Sequence, residues 1–210
     1  MTIGIIGSGN VGGTLGIRWA KAGHDIVFGT RDPQANDIKQ LVTQAGGEAR
    51  AATLQEAARA GEVLLLAMPW NATQPVLEGL GNLAGKTLID ATNPLLADLS
   101  GLDAGTTTSG AEKVAAWSRG AKVVKAFNTV GANIMANPSF GVDRPVLFYC
   151  GDDAKAKQTT KQLAEEIGFE ALDAGPLTQA RLIEPFALLW ISLALKYGYG
   201  RDIAFKLLRR

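Results

Sequence analysis

Gly7, Gly9 and Gly12 set out Gly-Ser-Gly-Asn-Val-Gly directly after the apolar run Thr2–Ile6, and a helix-compatible stretch from Thr14 to Ala22 follows. A strand, a glycine turn and a helix in that order predict a βαβ unit with a dinucleotide at the turn. In that geometry Gly7 makes the tight turn, Gly9 lets the main chain approach a pyrophosphate, and Gly12 lets helix and strand pack closely. The phosphate then sits at the helix N-terminus, among free N–H groups. Three glycines alone would be an ordinary turn; the flanking segments single them out.

Further apolar runs alternate with helix-like segments. Strands are predicted at Thr2–Ile6, Asp25–Gly29, Glu48–Ala51, Val63–Ala67, Thr87–Asp90, Val123–Ala126, Val146–Cys150 and Phe169–Asp173. This pattern predicts an α/β fold, a Rossmann-type doubly wound and mostly parallel sheet. Capping boxes are expected at Thr53-Leu54-Gln55-Glu56 and Ser109-Gly110-Ala111-Glu112, and Asp152-Asp153 offers a cap for the helix ending near Ile167. Asp32 lies about twenty residues past the glycines, where a ribose-binding acid is expected, but Asp32-Pro33 reads better as an N-cap and first helical position for a helix through Ala35, Ile38 and Leu41. Leu95 to Thr108 reads as a surface loop. The apolar stretch Pro185–Leu195 is shorter than the roughly 20 residues a bilayer span needs. It is expected to be a helix buried in the core or against a second subunit.

The end of the second strand selects the cofactor. NAD sites usually carry a carboxylate there for the ribose 2′-hydroxyl, whereas NADP sites supply an arginine for the 2′-phosphate. Here the residues are Gly29-Thr30-Arg31. A hydroxyl and a permanently charged fork suit a phosphate dianion better than a diol, so NADP is expected. Ligands of such sheets lie outside the carboxyl ends of the strands. That nominates Met68-Pro69-Trp70-Asn71, Ala91-Thr92-Asn93-Pro94 and Phe127-Asn128-Thr129, which carry amides, hydroxyls and flat apolar surface but no carboxylate.

No catalytic acid, base or nucleophile stands out, and no group of residues has metal-ligand spacing. Hydride transfer between two rings needs neither. His24, the only histidine, falls in the turn between the first helix and second strand, where a structural or solvent-facing role is expected. The single cysteine, Cys150, reads as an inert core thiol. A formal net charge of +1 argues against a nucleic-acid partner. With 210 residues one domain is the default. The start runs straight into the first strand, with no charged leader, so cytoplasmic residence is expected.

Together with Asp173-Ala174-Gly175-Pro176-Leu177 and Ala180-Arg181-Leu182-Ile183-Glu184, these motifs make the chain resemble the deazaflavin (coenzyme F420)-dependent NADP oxidoreductases. Through Lys125-Ala126-Phe127-Asn128-Thr129 it is also similar to the cytoplasmic domain of the six-transmembrane metalloreductases. The resemblance implies an NADP-binding Rossmann-like domain over residues 1–176. Residues 177–210 would be a small C-terminal helical segment that completes the cleft and contributes to a homodimer. It implies that Ser8, Asn10 and Val11 hold the pyrophosphate and that Thr30 and Arg31 hold the 2′-phosphate. Pro69 and Trp70 would line the cleft, beside Met68 and Asn93 nominated by their strand ends, and Ala126, Phe127 and Asn128 would sit near the nicotinamide. The second substrate would be a deazaflavin or flavin, a small-molecule redox acceptor. Two alternatives stand beside it. One is a β-hydroxyacid or imine-type dehydrogenase with Lys125 as proton donor, although only about 35 residues follow the last strand, too few for the usual second domain. The other is an NADPH-binding sensor or docking module without turnover.

Overall fold

The computed structural model describes residues 1–104 and 106–210, so Gly105 in the predicted loop lies outside the described residues. Strands β1 (Thr2–Ile6), β2 (Asp25–Thr30), β3 (Arg50–Thr53), β4 (Val63–Leu66), β5 (Thr87–Asp90), β6 (Lys122–Lys125), β7 (Val146–Gly151) and β8 (Glu170–Asp173) make one sheet. Their order is β3-β2-β1-β4-β5-β6-β7-β8, and only the β6–β7 pair is antiparallel. The helices are α1 (Asn10–Lys21), α2 (Asn36–Ala45), α3 (Leu54–Ala60), α4 (Trp70–Gly79), α5 (Gly110–Trp117), α6 (Ala132–Ala136), α7 (Ala154–Glu166) and α8 (Ala180–Leu195).

Strands covered on both faces read as nearly continuous apolar runs, and the two-residue period then divides each strand between two cores. Ile3, Ile5, Ile26, Phe28, Leu65 and Val124 belong to one core, while Ile6, Val27, Leu64, Leu66 and Val123 belong to the other. The chain leaves β1 in one direction to β2 and β3, then crosses to β4 on the opposite side. A crevice opens at that reversal, at the carboxyl ends of β1 and β4.

Gly12 lets α1 lie against β1. A Cβ there would stand 1.9 Å from the Gly7 carbonyl oxygen, an overlap with backbone that no rotamer relieves. Gly12→Ala is therefore expected to cost about 2–3 kcal/mol of stability, as overpacking does. Urea denaturation measures it, and a loss below about 0.5 kcal/mol would contradict the packing role.

Several boundaries differ from the sequence expectation. α2 begins at Asn36 rather than after Asp32, because the Asp32 carboxylate accepts the Gln34 N–H at 2.9 Å and closes a local turn instead of capping a helix. β3 begins at Arg50, since Gly46 and Gly47 take φ values of +67° and +58° and extend the preceding turn. β6 ends at Lys125, which leaves Ala126 beyond it, and β8 begins after Phe169, whose N–H still bonds the Ala164 carbonyl. Thr53 and Glu56 form the full capping box. Ser109 caps α5 but bonds the Glu112 side chain directly, its following N–H groups being taken by Glu184. Asp153 caps α7, whereas Asp152 accepts the Leu177 N–H.

Helix in the C-terminal segment is confined to a 3-10 turn at Leu177–Gln179 and to α8. Beyond it the chain runs back over the protein, where Phe205 accepts the Val146 N–H and Ile203 accepts the Trp190 indole N–H at 2.8 Å. α8 is not buried all round. Ile183, Glu184, Ala187 and Trp190 face the interior, while Leu182 and Leu189 are 67% and 48% exposed. No helix among the described residues is long and apolar enough to cross a membrane.

Candidate functional site

Two adjoining cavities occupy the crevice. The first, about 650 Å³, is lined by Gly7, Ser8 and Gly9 of the turn, by Gly29, Thr30, Arg31 and Asp32 after β2, and by Met68 and Pro69 after β4. The second, about 570 Å³, takes Asn10 and Val11 from α1, Trp70 from α4, Ala91, Thr92 and Asn93 after β5, and Leu95 and Ala97 from the following loop. Gly9, Ala67, Met68, Pro69 and Asn71 line both, so the two form one trough.

Local structure explains the openness of the turn. Gly7 has φ +104°, a conformation L side chains rarely adopt. A Cβ on Gly9 would meet nothing within 4 Å, so the space above its main chain is free. No side chain caps α1, which leaves its first N–H groups for a ligand.

The predicted residues divide accordingly. Gly7, Ser8, Thr30 and Arg31 line the first cavity, Asn10, Val11, Trp70 and Asn93 the second, and Gly9, Met68 and Pro69 both. Gly12 lines neither of these and serves the packing of α1. Ala126 and Phe127 also line neither. They are 0% and 1% exposed, and the Phe127 ring stands edge-on to Trp19 and Phe169. Asn128 lies one layer behind the trough, where its carbonyl accepts the Asn93 amide at 3.0 Å and its own amide donates to Asn93 Oδ1 at 3.2 Å. Its Oδ1 is buried without a partner. Asp37, in the first turn of α2, also lines the first cavity, a place that no local pattern in the sequence signals.

Behind β5 and β6 lies an ionic cluster with no signal in the sequence. The Lys125 ammonium is 3.0 Å from Asp90 Oδ2, 2.9 Å from Glu184 Oε1 and 2.6 Å from the Thr92 carbonyl, and all three charged side chains are 0–1% exposed. Burial pushes the Lys125 pKa down, but Asp90 and Glu184 outweigh it and the net direction is up. Lys125 is thus an enclosed cation and touches neither cavity. Burial pushes the Cys150 thiol up to about 12, as an inert core thiol requires. His24 Nε2 bonds Glu166 Oε2 at 2.7 Å and ties α7 to the turn before β2. Among the described residues no group of acidic, histidine or cysteine side chains could hold a metal ion.

A family model described as NADP oxidoreductase, coenzyme F420-dependent, matches residues 2–94, which carry the glycine turn and most of the trough. An F420-dependent NADP reductase from Methanothermobacter marburgensis is 32% identical over 210 residues, covering 93% of each chain. The chain belongs to the coenzyme F420-dependent NADP oxidoreductase family. That family makes it an NADP-dependent oxidoreductase. A solved structure from Arthrobacter sp. FB24, provisionally assigned as an F420-dependent NADP reductase, matches at TM-score 0.88 and 31% identity over 99% of both chains. Metalloreductase STEAP3 from Rattus norvegicus is 33% identical over 187 residues, which are 89% of this chain but 36% of that protein. F420-family membership and the structural likeness bear out the expected fold class, with helices on both faces of a mostly parallel sheet.

Proposed function

We propose that this family member transfers hydride between NADP(H) in the first cavity and a deazaflavin such as coenzyme F420, or a flavin, in the second. The observation that carries the proposal is the shared wall: Gly9, Met68, Pro69 and Asn71 border both cavities, so two ligands placed there are neighbours. The open space above Gly9 and the uncapped α1 fit a pyrophosphate. Thr30 and Arg31 at the end of β2 fit a 2′-phosphate. Asp32 shares that rim, but one of its oxygens already serves its own turn.

When bound, the nicotinamide supplies the hydride, and the two rings carry the redox chemistry. The protein's part is position and dryness. Met68, Pro69 and Trp70 give the trough apolar walls that exclude water. Asn93, braced by Asn128, presents a fixed amide beside them. No protein group has to move a proton for the transfer itself, which agrees with a second cavity whose described lining residues bear no charge. The proton-donor alternative loses its candidate, because Lys125 is sealed between two carboxylates. The exposed apolar side of α8, with Leu182 and Leu189, supports a homodimer. Within one chain residues 177–210 contribute no lining to either cavity, so any part they take in the cleft falls to a second copy.

Anaerobic stopped-flow mixing with NADPH and a panel of coenzyme F420, FMN, riboflavin and a ferric chelate tests the reading. The expected result is loss of NADPH absorbance with the deazaflavin or a flavin well above the buffer rate. Rates equal to buffer for every acceptor would remove it.

A further inference from the structure

The segment after β5 folds into a tight loop that borders the second cavity. Leu95 bridges Leu102, the Asp103 N–H donates to the Pro94 carbonyl at 2.7 Å, and the Lys196 ammonium holds the Leu99 carbonyl at 3.0 Å. Leu95 and Ala97 of this loop and Trp70 of α4 are walls of the same space. The two are joined where the Trp70 indole N–H donates to Asp103 Oδ2 at 2.8 Å. Lys113 stands 3.4 Å from that oxygen and 5.8 Å from the centre of the Trp70 ring, and Trp117 packs against the indole at 5.4 Å between centroids. A half-buried indole without such a partner samples several rotamers. Here the bond to Asp103, the ring of Trp117 and the Lys113 cation converge on one.

We infer that Asp103 is a positioning residue for the acceptor, fixing the Trp70 indole as one wall of a slot for a flat conjugated ring and tying the Pro94–Asp103 loop to that wall. The inference rests on the acceptor site proposed above. Asp103 acts through Trp70 rather than by touching the reacting atoms. Uncharged lining fits a ring, and any charged tail of the acceptor must leave the slot toward solvent. The Trp70 bond, and next the Lys113 cation, hold the Asp103 carboxyl below its ordinary range, so the latch stays formed across neutral pH.

Asp103→Ala and Asp103→Asn separate this from a general structural role, with coenzyme F420 as the acceptor probe and NADPH as donor. Asp103→Ala is expected to raise the acceptor KM about fivefold to tenfold, the scale of one ordering hydrogen bond, with the NADPH KM within about twofold of the parent. Asp103→Asn keeps an oxygen for the indole N–H and is expected to recover most of that loss. In far-ultraviolet circular dichroism the exciton couplet of the Trp70–Trp117 pair, identified by its loss in Trp70→Phe, should weaken in Asp103→Ala and persist in Asp103→Asn. An unchanged acceptor KM in Asp103→Ala overturns the inference while leaving the hydride-transfer proposal standing. A parallel rise in both KM values, or no recovery in Asp103→Asn, overturns it as well. Absence of turnover in the parent protein removes the acceptor reading and this inference together.

Discussion

Lys125→Met is expected to lower the unfolding free energy by about 3–5 kcal/mol at neutral pH, the range seen when one partner of a buried ion pair is removed. The parent cluster holds one cation against two carboxylates, and the remaining negative charge is shared among three backbone N–H groups and one hydroxyl. Thr92 N–H and its hydroxyl serve Asp90 Oδ1, while the Gly110 and Ala111 N–H groups at the start of α5 serve Glu184. Methionine fills much of the lysine's volume but strands Asp90 Oδ2 without a partner. Adding Glu184→Gln removes one of the two facing charges, so the double variant should lose less than the sum of the single losses. Urea denaturation of the four proteins closes the cycle. Additive losses, or a Lys125→Met loss below about 1 kcal/mol, would show the ion pairs to be uncoupled or weak.

The sign with pH follows from the direction of the lysine's shift. A cation whose folded pKa is raised contributes fully below its unfolded value of 10.5 and loses that contribution only as pH rises through the folded value. Lys125 therefore keeps its contribution throughout the neutral range and loses it only as pH climbs into alkali. Its link to function is the Lys125 bond to the Thr92 carbonyl, which holds the chain just before Asn93 at the edge of the second cavity.

Arg31→Ala is expected to raise the KM for NADPH about tenfold or more while changing that for NADH less than about twofold, since only NADPH loses a charge-assisted pair. Arg31 is exposed, so the effect should shrink as ionic strength rises. Equal changes for both coenzymes would place the 2′-phosphate away from Arg31. Steady-state kinetics at two salt concentrations decides between these outcomes.

Those parts of the molecule that depend on neighbours in sequence were legible without coordinates. Val63–Leu66 is buried at every position and stands out as an unbroken apolar run; the Gly7–Gly12 turn declares itself by its spacing. Thr53 and Glu56 find each other three residues apart. What stayed hidden depends on distant residues. Lys125 meets Asp90 across 35 positions and Glu184 reaches the Gly110 N–H across 74, so the cluster has no local pattern. Trp70 and Asp103, 33 positions apart, turn an apparent surface loop into a wall of the trough. Phe127 looks like a site residue because it follows a strand, and Ala126 through the family resemblance alone, but the Phe127 backbone, at φ +64°, accompanies a ring packed in the core. At α2 two local rules compete, and the Asp32 side chain closes a turn where a helix cap was expected.

Coenzyme choice turns on a 2′-phosphate held at the end of β2 beside the glycine turn. Titration calorimetry of the unmodified protein with NADPH and NADH at one ionic strength tests this most directly. NADPH is predicted to bind about tenfold or more tightly than NADH, as a charge-assisted contact to one extra phosphate requires. Equal affinities, or no heat from either coenzyme at millimolar concentration, would contradict it.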